Sequence, residues 1–451
     1  MNEKSPLRRS KVLLLVLGVG VVLFFFVAIG LAVLGTIALW RGWLPIDRFG
    51  GSSPSSPPSS PREVATPSTR PSASGVETPV PDAGPPAPEW TEQDDAEPAT
   101  LQEQRAELLR KLAKFRHVPP EQIAAMRELF EGQPWMGQGN PRVTHHPMTR
   151  AECRARRAKS RVVSGSPQVC GAPYMVPIYN PGAGEGVAQA RVCIDQYEFP
   201  NIPCEYPVTW VPAQVAYQLC QIEGKRLCDA HEWEGACAGA VLPPSHEYDW
   251  GLRPHEDIST QRVAMQHAHN TDREIVWAYG AEKDHSKCAT GSYKSKGCVE
   301  PTWERCGTNT YPAGAFTECV SPFGAYDLHG NVAEHMSFPM SAEQLGHPGQ
   351  TEMKGSWFIF GTYEAHLDDC RWRAPDWHGG PVDVPNSHMN YHLGFRCCRD
   401  LGAKPDHEVD QKARPDAGGR DPAHQGVQSD AATPGREHGE GNLARRPDGG
   451  R

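Results

Sequence analysis

Between Val12 and Trp40 the chain runs for 29 residues without a charged side chain. A helix needs about 20 apolar residues to cross a bilayer, so the pattern predicts a transmembrane helix over 12–40. A cleavable leader has a shorter apolar core, about 7–15 residues, ending at small side chains. This run ends in Ile37-Ala38-Leu39-Trp40 followed by Arg41, which predicts an uncleaved anchor. Lys4, Arg8, Arg9 and Lys11 precede it, against Arg41 and Arg48 beyond. The positive-inside bias places residues 1–11 in the cytosol and the rest outside: a single-pass cell-membrane protein with an extracytoplasmic C-terminal domain.

Past the anchor the hydrophobic pattern stops. Residues 41–100 are dominated by Pro, Ser, Ala and Thr. Such a segment buries too little apolar surface to offset its ordering entropy, and its prolines hold it extended, as a stalk. Helical periodicity begins at 101–143, with Leu101, Leu108, Leu109 and Leu112 on one face and a second short helix starting near Pro119. Whether these helices pack on a domain is left open by the pattern. Residues 144–400 carry the packed domain. After Leu401 the chain is rich in Gly, Asp and Arg, and 401–451 is expected to be a disordered tail.

Inside 144–400 two helices are legible. Pro212 stands at a helix start and Gly224 at its stop, with Val215, Leu219 and Ile222 facing the core. The next starts at Asp229, with Glu232 three residues on in a capping-box arrangement and Trp233 and Cys237 on one face. Elsewhere the segments are short and broken by Gly and Pro. Few helices and many loops predict an α+β domain.

Cysteine and charge narrow the class. All fourteen cysteines lie between Cys153 and Cys398, and disulfides persist in oxidising compartments such as the one the anchor implies. No C-x2-C pair occurs, which removes support for zinc ribbons and thioredoxin-type redox motifs. The net charge of −9 argues against a nucleic-acid partner, which favours a basic footprint.

Five blocks then occur in order: IDQYEFPN (194–201), PVTWVPAQVAYQLC with GKRLCDAHEWEGACAG (207–239), FGAYDLHGNVAEH (323–335), KGSW (354–357) and LGFRC (393–397). Together they resemble the domain shared by formylglycine-generating enzymes and their sulfatase-modifying-factor relatives. The resemblance implies a C-type-lectin-like α+β fold with little regular secondary structure. It also implies a test of chemistry. The enzymes of that family oxidise a substrate cysteine with oxygen and copper held by a C-x4-C pair, and soft thiolates suit Cu(I). Here Cys370 is the first cysteine after Trp357, and no C-x4-C occurs anywhere. Ala333 and His335 stand where the family places two tryptophans. The copper site does not carry over.

By the same resemblance, a structural calcium loop would use the carboxylates of Asp327 and Glu334 and the carbonyls of Gly330 and Val332. Calcium takes six to eight oxygens at about 2.3–2.6 Å. A second loop would include Asn270. His335, Ser356, Trp357, Arg371, Arg373 and Arg396 match positions lining the family groove or supporting it. The family's cross-links imply Cys220 with Cys397, and Cys237 with a cysteine near the RWR stretch, for which Cys370 is the available residue. His388 and His392 are spaced to share one face of a helix or of a strand, but the acid of the family's iron-binding motif is missing. These readings predict a non-catalytic binding platform, stabilised by calcium and disulfides, for a peptide, glycan or envelope protein. The alternative is a formylglycine-generating-type or non-haem metal oxidase.

Overall fold

A computed structural model describes residues 88–252, 254–255, 257–298, 301–359, 369–374, 379–385 and 388–402. The expected anchor at 12–40, the stalk up to residue 87 and the tail from residue 403 lie outside them. Among the described residues no helix is long and apolar enough to cross a membrane.

The chain enters through helices α1 (Glu92–Asp95), α2 (Leu101–Arg116), α3 (Pro120–Glu131), α4 (Arg150–Arg157) and α5 (Pro167–Cys170). Strands β1 (Met175–Ile178) and β2 (Val192–Asp195) follow, then α6 (Ala213–Ile222), β3 (Arg226–Leu227), α7 (Ala230–Ala238), α8 (Pro244–Glu247) and α9 (Ile258–Asp272). The last strands are β4 (Ala333–Phe338), β5 (Gln350–Lys354), β6 (Leu393–Phe395) and β7 (Cys397–Asp400). The strands form two small sheets, ordered β1-β2-β7-β3 and β5-β4-β6. The first is antiparallel throughout; in the second, β4 pairs antiparallel with β5 and parallel with β6. Helices and strands are thus mixed, with long irregular connections between short elements.

The local signals for α6 and α7 act as their chemistry dictates. Pro212 caps α6 in extended conformation, and Gly224 past its end has φ 66°, a left-handed conformation that glycine adopts without a Cβ clash. Asp229 caps α7 in a box with Glu232. Buried Val215 and Leu219, with half-buried Ile222 beside them, turn α6 into the first core.

That core settles the place of the early helices. Leu108, Leu109, Leu112 and Phe115 of α2 and Met126 and Phe130 of α3 are buried against Val208, Val211, Leu219 and Phe395. The packed body therefore starts well before residue 144. It also takes in the end of the expected stalk, a correction to the 41–100 boundary. Trp90 stacks on Phe115 at 4.7 Å, and buried Asp94 pairs with Arg110 and Lys114 at 2.7 and 2.6 Å. Composition missed this because one tryptophan and one acid anchor an otherwise polar segment.

β6 and β7 are separated only by Arg396, where the chain passes from one sheet to the other. Successive strand residues face opposite sides. Cys397 accordingly bonds to Cys220 on α6, and Cys398 to Cys228 between β3 and α7. Five more disulfides complete the set: Cys153–Cys204, Cys170–Cys193, Cys237–Cys370, Cys288–Cys319 and Cys298–Cys306. All fourteen cysteines are bonded.

Candidate functional site

The turn after β5 carries Gly355, Ser356 and Trp357. Gly355 has φ 75° and the Trp233 ring 3.4 Å from where a Cβ would stand, so a glycine there lets the turn fold back tightly. Trp357 is buried among Phe358, Tyr391 (5.5 Å between ring centres) and His392 (4.0 Å). Trp210 joins this aromatic group at 6.4 Å from Tyr391, and half-buried Trp135 lies 6.0 Å from Trp210. Trp303, inside the Cys298–Cys306 loop, packs on the same group. Lys294 lies 5.6 Å from the centre of the Trp357 ring. Trp210 has φ 58°, a conformation unfavourable by about 1–2 kcal/mol for a side chain with a Cβ. The fold holds a tryptophan there despite that cost. Residues 360–368, which follow this group, lie outside the described residues.

The other expected groove residues are committed to the fold. Ser356 Oγ accepts the Gly330 N–H at 2.8 Å. His335 is buried on β4, with Nε2 2.8 Å from the Val211 carbonyl, which makes that nitrogen the donor. Burial holds the ring neutral, its pKa brought down to about 4. Arg373 and Arg396 are fully buried and cannot touch a ligand in a groove. Arg373 grips Glu234 of α7 with two hydrogen bonds at 2.8 and 2.9 Å, and Lys354 of β5 adds a third at 2.9 Å. Burial alone would raise Glu234, but these cations hold it well below the usual carboxylate range. Arg371 donates to the Ala240 carbonyl at 3.0 Å and faces a cleft beside α8 and α9. Arg373 and Arg396 thus take the supporting role rather than the lining one, since a guanidinium in an interior must be paired.

The expected calcium loop has the same character. Glu334 gives both carboxylate oxygens to Arg396 at 2.6 Å, and one of them also accepts the Trp233 indole N–H at 2.9 Å. Asp327 accepts the Gly314 N–H with Oδ2, while buried Oδ1 has no hydrogen-bond partner. Val332 donates its N–H to Glu198 at 3.3 Å. One open carboxylate oxygen does not make a cage of six to eight. The strongest expected donor, Glu334, is held by a guanidinium, which leaves Asp327 Oδ1 as the open carboxylate oxygen of the expected set. Asn270 is likewise used elsewhere: its amide donates to the Arg373 carbonyl at 2.7 Å and accepts the Arg373 N–H at 2.9 Å.

Three carboxyls, Glu198, Asp327 and Glu334, thus share the neighbourhood of Arg396. Burial, then the charges of Asp327 and Glu334, push Glu198 well above its ordinary value. Burial also lifts Asp327 to about 6, against the pull of the Gly314 N–H and Arg396. Glu198 went unnoticed in the sequence because a single acid in IDQYEFPN gives no sign of facing two others more than a hundred residues away.

Cys370 and Cys237 are bonded and fully buried. His392 is in a loop against Trp357 and His388 precedes it in irregular chain, so the two do not share a helix or a strand.

A disulfide-cross-linked mixed α and β domain, with an aromatic group beside a charged interior and no free thiol, is the class these features define. Residues 188–401 match the sulfatase-modifying factor enzyme 1-like domain. Solved structures similar to the chain include CarF, with 12% identity over 51% of this chain and 98% of that one at a TM-score of 0.27. Another is PvdO from Pseudomonas aeruginosa, with 15% identity over 47% of this chain and 80% of that one at a TM-score of 0.22. No curated protein matches the chain.

Proposed function

We propose that this chain is a membrane-tethered, extracytoplasmic sulfatase-modifying-factor-type domain that binds a peptide, glycan or envelope protein and performs no copper-oxygen chemistry. The observation that carries the proposal is the state of the cysteines. Cu(I) is held by soft thiolates, and every cysteine here is spent in a disulfide, Cys370 included. Half-buried Trp135 and Trp303, packed against the buried group of Trp357, Trp210 and Tyr391, support binding: aromatic side chains offer large contact areas and dominate recognition surfaces. The uncharged run at 12–40 supports the tether.

The decisive experiment measures thiols, copper and oxygen on one purified sample. Thiol titration in denaturant without reductant is expected to find none. Addition of Cu(I) is expected to give no stoichiometric complex, and a cysteine-containing peptide is expected to cause no oxygen uptake. Two titratable thiols with one bound copper and peptide-dependent oxygen uptake overturn the proposal. Resistance to alkaline extraction from membranes, lost on deletion of 12–40, is the expected behaviour of the tether.

A further inference from the structure

Away from the aromatic group, a cleft of about 530 Å³ opens between α8 and α9, lined in part by Glu247, His269, Asp272, Glu274 and Arg371. We propose that His269 and Glu247, with Asp272 one helical turn on, bind a divalent transition-metal ion of the Zn²⁺ class there.

The orientation of His269 comes first. Its Nε2 lies 2.8 Å from the Arg371 carbonyl, an acceptor only, so the ring proton sits on Nε2. Nδ1 is left with its lone pair. Metal-binding histidines are commonly fixed in this way, one ring nitrogen donating to a carbonyl and the other facing the ion. Nδ1 lies 3.9 Å from Glu247 Oε2. Glu247 is 4% exposed, yet Oε2 has no hydrogen-bond partner. Burial and the neighbouring Glu234 carboxyl push Glu247 up to about 8, so near neutral pH it holds a proton, which an ion entering between Oε2 and His269 Nδ1 would displace. Zinc bonds to nitrogen and oxygen run about 2.0–2.2 Å, so an ion can sit between these two atoms after a small closure.

Asp272 follows His269 by three residues on α9, the spacing that puts two side chains on one helix face, and it lines the same cleft. Water in the cleft completes the coordination. Glu234 is also near, its carboxylate within 4.8 Å of the other two groups, but Arg373 and Lys354 already hold its oxygens. The opposing charges are Arg371 Nη1 and Arg373 Nη2, at 3.5 and 3.6 Å from Glu247. Charge-assisted hydrogen bonds are about 2.7–2.9 Å, so both stand back from the carboxylate. Their effect is to weaken the site, making it exchangeable rather than permanent.

The test is zinc titration of the full, untagged chain after chelator treatment, read by calorimetry, with the Co²⁺ visible spectrum reporting ligand type. One Zn²⁺ per chain is expected. His269→Gln, which retains a side-chain donor for the Arg371 carbonyl, and Glu247→Gln are each expected to weaken binding by about 100-fold or more. Asp272→Asn is expected to weaken it by about tenfold, and for this surface change no loss of folded protein is expected. These losses are scaled from the 10–100-fold that supporting partners alone contribute. Far-UV circular dichroism of each variant separates lost binding from lost folding. No zinc uptake by the parent protein, or uptake unaltered in all three folded variants, overturns the proposal.

Discussion

Two buried acid groups in this molecule have opposite fates. Glu205, in the loop before α6, receives Lys111 of α2 at 2.6 Å, Arg150 of α4 at 2.8 Å and the Gln138 amide at 2.8 Å. Burial alone would raise its pKa, yet Arg150 and Lys111 bring it down to about 2. Glu198, seven residues earlier, faces Asp327 and Glu334 with Arg396 as the nearest buried cation, and is pushed up. The difference lies in who supplies the cations. Residues 88–187, outside the matched family segment, deliver two to Glu205. No early helix delivers one to the Arg396 group beyond Arg157, whose guanidinium is spent on the Gly314 carbonyl and the Tyr197 hydroxyl. The early region therefore acts as part of the domain's interior, in charge as well as in packing.

The largest break in this comparison is removal of the early helices. A chain starting at residue 144 loses Lys111, Gln138 and the α2–α3 face of the first core, and is expected to yield no cooperatively folded protein by thermal unfolding. A stable folded product would show that the early helices merely decorate the domain. Next is Arg396→Met. It leaves Glu334 buried without its cation beside two other acids, and breaking one side of a buried pair costs about 3–5 kcal/mol. The urea midpoint should fall accordingly, at the upper end of that range. Glu205→Gln is expected to cost less, about 3 kcal/mol, because Arg150 keeps Glu97 at 2.8 Å. Equal losses in the two variants would erase the distinction drawn between the groups.

The smallest effect is on pH dependence, and the signs are opposite. Glu205 titrates lower in the folded state than unfolded, so its stabilisation is present above its unfolded value and lost as pH falls towards about 2. Asp327 titrates higher, at about 6. The folded state then holds its proton more tightly, and stability declines as pH rises from about 4 through 6. Asp327→Asn should remove that decline. Urea midpoints of parent and variant measured between about pH 4 and pH 7 should diverge with rising pH, the variant becoming relatively more stable. Parallel curves would mean that Asp327 ionises in the folded protein as it does unfolded.

Much of this protein was legible as sequence because some signals are local. Pro212 and Gly224 bound α6, and Asp229 with Glu232 starts α7, since caps act within one turn of chain. Five ordered blocks carried the family, and the missing C-x4-C was visible without coordinates. Other questions are decided by residues distant in the chain. Whether Glu334 offers its oxygens to a cation or to Arg396, 62 residues later, depends on β6 lying beside β4. Whether Trp90 and Asp94 belong to a stalk or a core depends on α2 presenting Phe115, Arg110 and Lys114 to them. Burial and counter-charge are properties of a neighbourhood, and in this chain the neighbourhoods are assembled by the tertiary fold.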